Sequence, residues 1–216
     1  ADTLWLLYSN TKVLTACAVW ILAERGALSF TDRVAAHLPG FEAHGKGDVT
    51  IIEYSDTECP YCKQFHATLR RIMDTYGRDG SVAWVYRHFP LDELHPRAQK
   101  EAEAAECAGE LGGSGAFWDY IHRVYEITPS NDGLDPSLLP LIAFDIGLDR
   151  PQFESCLASG RHKDTVDRHL KEALDAGGTG TPYNFIVAGG NVLPLEGAEP
   201  YASLRSIIDA LLEQGS

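Results

Sequence analysis

Val49-Thr50-Ile51-Ile52-Glu53-Tyr54 runs through Ser55-Asp56-Thr57-Glu58 into Cys59-Pro60-Tyr61-Cys62, and this stretch decides how the whole 216-residue chain is read. The apolar, β-branched run predicts a buried strand. Beyond it, Phe65, Leu69, Ile72 and Met73 recur at helical spacing and predict a helix over residues 60–76 that begins at Pro60, a residue suited to a first helical turn. A strand that delivers a CxxC pair onto a helix start places the first sulfur beside unpaired backbone N–H groups and the positive end of the helix dipole. Such a place stabilises a thiolate. The expected chemistry is thiol–disulfide exchange: Cys59 is the attacked sulfur, and Cys62, one turn deeper and more buried, is the one released and later re-paired.

Downstream, residues 82–86 read as a second strand closed by Phe89-Pro90, completing a β-α-β unit with parallel strands. Strand signals then vanish for some eighty residues. Helical patterns occupy residues 97–111, 116–127, 136–146, 151–158 and 162–176, separated by Gly- or Pro-bearing breaks such as Gly112-Gly113-Ser114-Gly115. Strands return at 183–188 and 191–195 around Gly189-Gly190, a hairpin signature, and residues 201–212 form an amphipathic helix carrying Leu204, Ile207, Ile208, Leu211 and Leu212. The expected class is α/β: a thioredoxin fold split by a helical subdomain inserted at about 92–177.

An apolar content of 44% and a charged content of 23% are those of a globular protein with a real core. The formal charge of −13 argues against a nucleic-acid partner, because no basic stripe exists to replace phosphate counterions. Residues 1–48 carry five acidic and four basic side chains, so nearly all of the excess charge lies beyond them. No signal peptide is visible: the apolar run at 13–23 follows a single Lys12, shows no fitting cleavage site and is too short to span a bilayer. Five cysteines leave one over after pairing, and Cys17 reads as a buried hydrophobe.

Taken together, Cys59-Pro60-Tyr61-Cys62, Glu53 six residues earlier, Phe117-Trp118 in the helical region and Gly180-Thr181-Pro182 before the hairpin resemble the DsbA-like family of thiol:disulfide oxidoreductases over residues 49–214. The resemblance implies a protein disulfide oxidoreductase that needs no cofactor beyond its dithiol and acts on reduced or unfolded proteins outside the cytoplasm, in the periplasm or on the outer face of the membrane. It implies a membrane quinone-linked reoxidase of the DsbB or VKOR type. Disulfide reduction or isomerisation by the same site, and a non-catalytic peptide-binding module, are the alternative readings. Pro182 matches the family's cis-proline beside the CxxC, where the Thr181 backbone can pair with an extended substrate segment. Pro60 and Tyr61 tune the couple and border the substrate.

Glu53 matches the buried acid beneath the dithiol and would shuttle a proton to or from Cys62; the other reading is an edge carboxylate facing water. Cys107 and Cys156 are expected to form a structural disulfide, two buried thiols being the alternative. Zinc is the rival use of the CxxC, with Cys59, Cys62 and His66 completed by His88 or His95; the redox reading is taken and no metal is expected. His122, His162 and His169 read as solvated or core-edge residues.

Residues 1–48 have a different vocabulary. A helix is expected at 13–25, and Ser9-Asn10-Thr11-Lys12 at its start, with the sequence through Pro39, resembles the nucleophile region of class C-type β-lactamases and related serine esterases. In that family the residues matching Ser9 and Lys12 are the nucleophile and its proton-transfer partner. The family's later Tyr-x-Asn and Lys-Thr-Gly elements are missing here, so an inert helical N-terminal segment is the expectation.

Overall fold

The computed structural model describes residues 48–215, which fall within the unit Lys46–Ser216. The expectations for Ser9, Lys12, Cys17 and the helix at 13–25 lie outside the described residues.

Strand β1 (Val49–Ser55) leads through Cys59 into helix α1 (Pro60–Ile72), which ends in a wide turn at Met73–Gly77, and β2 (Val82–His88) follows. Helices α2 (Ala98–Ile127), α3 (Leu139–Asp145), α4 (Arg150–Ser159) and α5 (Lys163–Asp175) come next, with a short 3-10 turn at Pro136–Leu138. The chain closes with β3 (Tyr183–Ala188), β4 (Asn191–Glu196) and α6 (Tyr201–Gly215). The sheet order is β2-β1-β3-β4, parallel between β1 and β2 and antiparallel elsewhere.

The two-residue period of β1 sorts its side chains onto two faces. Val49 and Ile51 pack with Phe65, Leu69 and Ile72 of α1 and Leu204 and Ile208 of α6. Tyr54, on the opposite face, joins Tyr183, Phe89 and Ala173 of α5. The inserted helices build their own core from Ala104, Ala108, Tyr120, Ile121, Val124, Ile142 and Phe153, and this core reaches Cys59 and Cys62. Each large side chain removed from water there contributes about 1.5–3 kcal/mol.

The break expected at residues 112–115 is present, reduced to one residue: Gly113 takes a non-helical backbone (φ 78°, ψ −171°) and divides α2 into two helical segments at a kink. Only glycine adopts that backbone without strain, so a single residue turns the helix and the flanking glycines stay helical. Gly112 is needed for space, since a Cβ there would lie 2.5 Å from Ala116 Cβ and 2.9 Å from Leu148 Cδ2. Among the described residues no helix is long and apolar enough to cross a membrane.

Candidate active site

Cys59 is the N-cap of α1 and Pro60 opens the helix, so the first free amides near the Cys59 sulfur belong to Tyr61 and Cys62. Pro60 and Tyr61 are exposed, Tyr61 by 64%, whereas Cys59 keeps 4% of its surface and Cys62 none. The two thiols are displaced in opposite directions. Cys59 is pulled down to about 6, first by the hydrogen bond from the Cys62 thiol, then by Thr181 and the amides of Cys62 and Tyr61, against the opposing pull of burial. Cys62 is pushed well above its ordinary value by burial and by the neighbouring Cys59. The Asp56 amide approaches Cys62 Sγ at 3.4 Å.

The peptide bond between Thr181 and Pro182 is cis, and the Thr181 carbonyl lies 3.5 Å from Cys59 Sγ. Thr181 is half-buried and Pro182 buried. The 178–182 loop thus lies against the less buried cysteine of the pair.

Glu53 is fully buried, which removes the water-facing alternative. Its carboxyl accepts from Ser55 Oγ at 2.8 Å and from Trp84 Nε1 at 3.0 Å. Burial outweighs both hydrogen bonds and raises its pKa to about 7. Ser55 Oγ is also 2.9 Å from Tyr125 Oη, which donates to the Asp56 carbonyl at 3.2 Å and lies 3.1 Å from Tyr86 Oη. A polar thread therefore runs under the dithiol, composed of residues from β1, β2 and α2.

A second polar group flanks Cys59. Glu58 is buried and accepts from Thr128 Oγ1 at 3.1 Å and from the amides of Gly133 and Leu134, both at 3.0 Å, while its carbonyl accepts from Asn131 N at 2.7 Å. It pins the 128–134 loop, in which Ser130, Asn131 and Asp132 all take left-handed backbone, against the CxxC. Lys63 Nζ adds a bond to the Thr128 carbonyl at 2.5 Å. Buried Asp56 accepts from Glu58 N, Leu91 N and His95 Nδ1. Glu101 packs beside these acids, and burial, with the charges of Glu58 and Asp56, raises it to about 8.

The residues named for zinc are committed elsewhere: His66 Nε2 meets His122 Nδ1 at 2.7 Å, His95 serves Asp56, and His88 Nε2 faces Glu106 at 3.1 Å. His169, read from sequence as peripheral, is buried and stacks on His88 at 5.6 Å. The donor atoms of His88, Glu106 and His169 lie within 4.8 Å of one another. Arg87 Nη1 lies 3.3 Å from His169 Nε2. A cavity of ≈ 320 Å³ borders Trp84, Trp118 and His122, away from both sulfurs. In the insert, Cys107 and Cys156 form a disulfide.

Sequence reasoning missed Ser55, Asp56, Glu58, Trp84 and Tyr125. The available signal for Ser55 was its place two residues from Glu53, on the same strand face.

The family model described as thioredoxin matches residues 44–210, and one described as beta-lactamase matches residues 1–53. Among solved structures the chain is similar to Pseudomonas aeruginosa DsbA2, with 31% identity over 79% of this chain and 93% of that one and a TM-score of 0.66. It also shares its fold with BdbD from Bacillus subtilis (19% identity, 78% and 91% coverage, TM-score 0.69). A curated relative is a Na(+)/H(+) antiporter NhaA 3 of Salinispora tropica, 38% identical over 64% of this chain but only 20% of the antiporter. The chain thus spans about a fifth of the length of the curated relatives it matches.

Proposed function

The chain belongs to the thioredoxin family, and we propose that within it this protein is a DsbA-like thiol:disulfide oxidoreductase that oxidises cysteine pairs in reduced or unfolded proteins outside the cytoplasm. The observation that carries this reading is the placement of the dithiol: Cys59 caps the start of α1 with the carbonyl before the cis Thr181–Pro182 bond 3.5 Å from its sulfur, and Cys62 is sealed one turn deeper, an arrangement that pulls the Cys59 thiol down and pushes the Cys62 thiol up. A substrate thiolate attacks Cys59 Sγ of the disulfide form, the Cys59–Cys62 bond breaks, and Cys62 leaves. A second substrate thiolate attacks the substrate sulfur of the mixed disulfide and expels Cys59, a good leaving group because its thiolate is stabilised. The same stabilisation favours the reduced enzyme and so makes the pair oxidising.

Thr181 would align an extended substrate segment beside Cys59 through its backbone, with Pro182, Pro60 and Tyr61 forming the borders of that groove. Glu53, neutral over much of the range below about pH 7, would exchange a proton with Cys62. The Cys107–Cys156 disulfide suits an oxidising compartment. Reoxidation would fall to a membrane quinone-linked enzyme of the DsbB or VKOR type. Residues 1–48 would be an inert segment, so removing residues 1–45 should leave exchange activity intact and a fluorophosphonate should not label Ser9.

The deciding measurement is the reduction potential of Cys59/Cys62 in glutathione buffers, combined with oxidation of a reduced test protein. A value near about −120 mV with rapid oxidation of the test protein is expected; one near about −270 mV would instead assign a reductase. Peptide binding that survives Cys59→Ser, with no oxidation of the test protein by the unaltered chain, would point to a binding module in which the dithiol is structural.

A further inference from the structure

A cavity of ≈ 320 Å³ opens where the end of α1 and the wide turn after it meet β2 and the second half of α2. Arg70, Met73, Asp74, Trp84, Trp118 and His122 line it, and neither Cys59 nor Cys62 does. We propose that this cavity binds a small aromatic zwitterion, an aromatic amino acid, with its ring on the indoles, its carboxylate on Arg70 and its ammonium on Asp74.

The aromatic wall is built before any ligand arrives. Trp84 and Trp118 lie with ring centroids 4.5 Å apart and planes inclined at 47°, and the His122 ring is 5.8 Å from Trp118. Two of these rings are held from behind. Trp84 Nε1 donates to buried Glu53 at 3.0 Å, and His122 Nδ1 meets Nε2 of buried His66 at 2.7 Å. The volume lies at the lower end of the range for small-molecule sites, which combine an aromatic lining with a few polar groups that fix orientation.

The polar groups here are two opposite charges that do not meet. Arg70 and Asp74 are exposed, and no hydrogen bond or ion pair joins them. Elsewhere in the chain the same order and four-residue spacing closes into ion pairs, as in Arg150–Glu154, Lys171–Asp175 and Arg205–Asp209. The difference lies in the backbone: α1 stops at Ile72, and the π-helical turn at Met73–Gly77 takes Asp74 off the line of Arg70. Widened turns of this kind recur at functional sites. A ligand with a carboxylate alone would bring it near Asp74, and one with an ammonium alone would bring it near Arg70. A ligand carrying both charges on one carbon satisfies both sides.

The test is titration of the full chain with L-phenylalanine, followed through the indole N–H signals of nitrogen-labelled protein, with Trp84 and Trp118 assigned by replacing each with Phe. Both signals should shift saturably with a dissociation constant of roughly millimolar, because exposed ion pairs are individually weak. Phenylpropionate, phenethylamine and N-acetyl-phenylalaninamide lack the ammonium, the carboxylate or both, and each should bind about threefold or more weakly. Arg70→Gln should erase the advantage of phenylalanine over phenethylamine, and Asp74→Asn its advantage over phenylpropionate. Trp118→Ala should weaken all four ligands by about tenfold. Should that variant fail to fold, the two charge variants still decide, since they change exposed side chains and should keep the exchange activity of the unaltered chain. The proposal is overturned if phenylalanine moves neither indole signal, or if the capped amide binds as tightly as phenylalanine, which would assign the cavity to an aromatic residue of a polypeptide. It is equally overturned if the ligands with a single charge match phenylalanine and the charge variants alter nothing, or if a folded Trp118→Ala variant binds as the unaltered chain does.

Discussion

Two cysteine pairs border one apolar cluster in this protein, and they are put to opposite uses. Cys59 and Cys62 share the start of one helix, whereas Cys107 and Cys156 join α2 to α4 across 49 positions of sequence. The insert pair is joined as a disulfide in the cluster that includes Ala104, Ala108 and Phe153, with a His162 ring nitrogen within 4.8 Å of both sulfurs. The CxxC pair has the amides of a helix start on one side and Glu53, Ser55 and Asp56 on the other, and its sulfurs are driven apart in acidity. What sets the CxxC pair apart is its place at a helix start, where the amides reach one sulfur and not the other.

Replacing Cys59 by Ser should produce the largest effect, a fall of insulin reduction or test-protein oxidation to background with folding preserved. If the insert pair is only structural, Cys107→Ala/Cys156→Ala should keep the exchange rate per folded molecule yet lower stability to denaturant by about 2–4 kcal/mol, in line with a loop of this size. A loss of exchange chemistry in the folded double variant would erase the distinction between the pairs.

The two pairs also differ in how pH acts on them. Cys59 in the reduced fold has a depressed pKa, about 6 against the 9.0 of an unperturbed thiol, so its contribution to stability is present above pH 9 and is lost as pH falls through 6. Denaturation of reduced and oxidised protein at matched pH should show the reduced form gaining on the oxidised form from pH 6 to 9. A flat difference would mean that the helix start does not hold a thiolate. The smallest effect concerns Glu101, whose pKa is raised from 4.5 to about 8. Its contribution is full below pH 4.5 and is lost as pH rises to about 8, so Glu101→Gln should be near neutral at pH 5 and stabilise by roughly 1–3 kcal/mol at pH 8. An equal effect at both values would show that Glu101 does not carry the proton its surroundings impose.

Element order was legible in the sequence because it is written in short-range periodicity. The two-residue alternation of β1, the 3.6-residue recurrence of Phe65, Leu69 and Ile72 and the Gly189-Gly190 turn each need only a few neighbouring letters. The kink at Gly113 belongs to the same vocabulary. Gly112-Gly113-Ser114-Gly115 reads as a break, and the non-helical backbone of Gly113 divides α2 there.

By itself the sequence determined the strand–CxxC–helix unit, the place of the helical insert and the Thr181-Pro182 loop beside the dithiol. Only the tertiary structure decided that Glu53 is wholly buried rather than wet, that Tyr125 arrives 70 positions away in sequence to touch Ser55, and that Glu58 locks the 128–134 loop onto the active helix. The reason is physical. Periodicity states which face of an element avoids water, but hydrogen-bond partners and shifted acidities exist only once distant elements have closed around them and excluded the solvent.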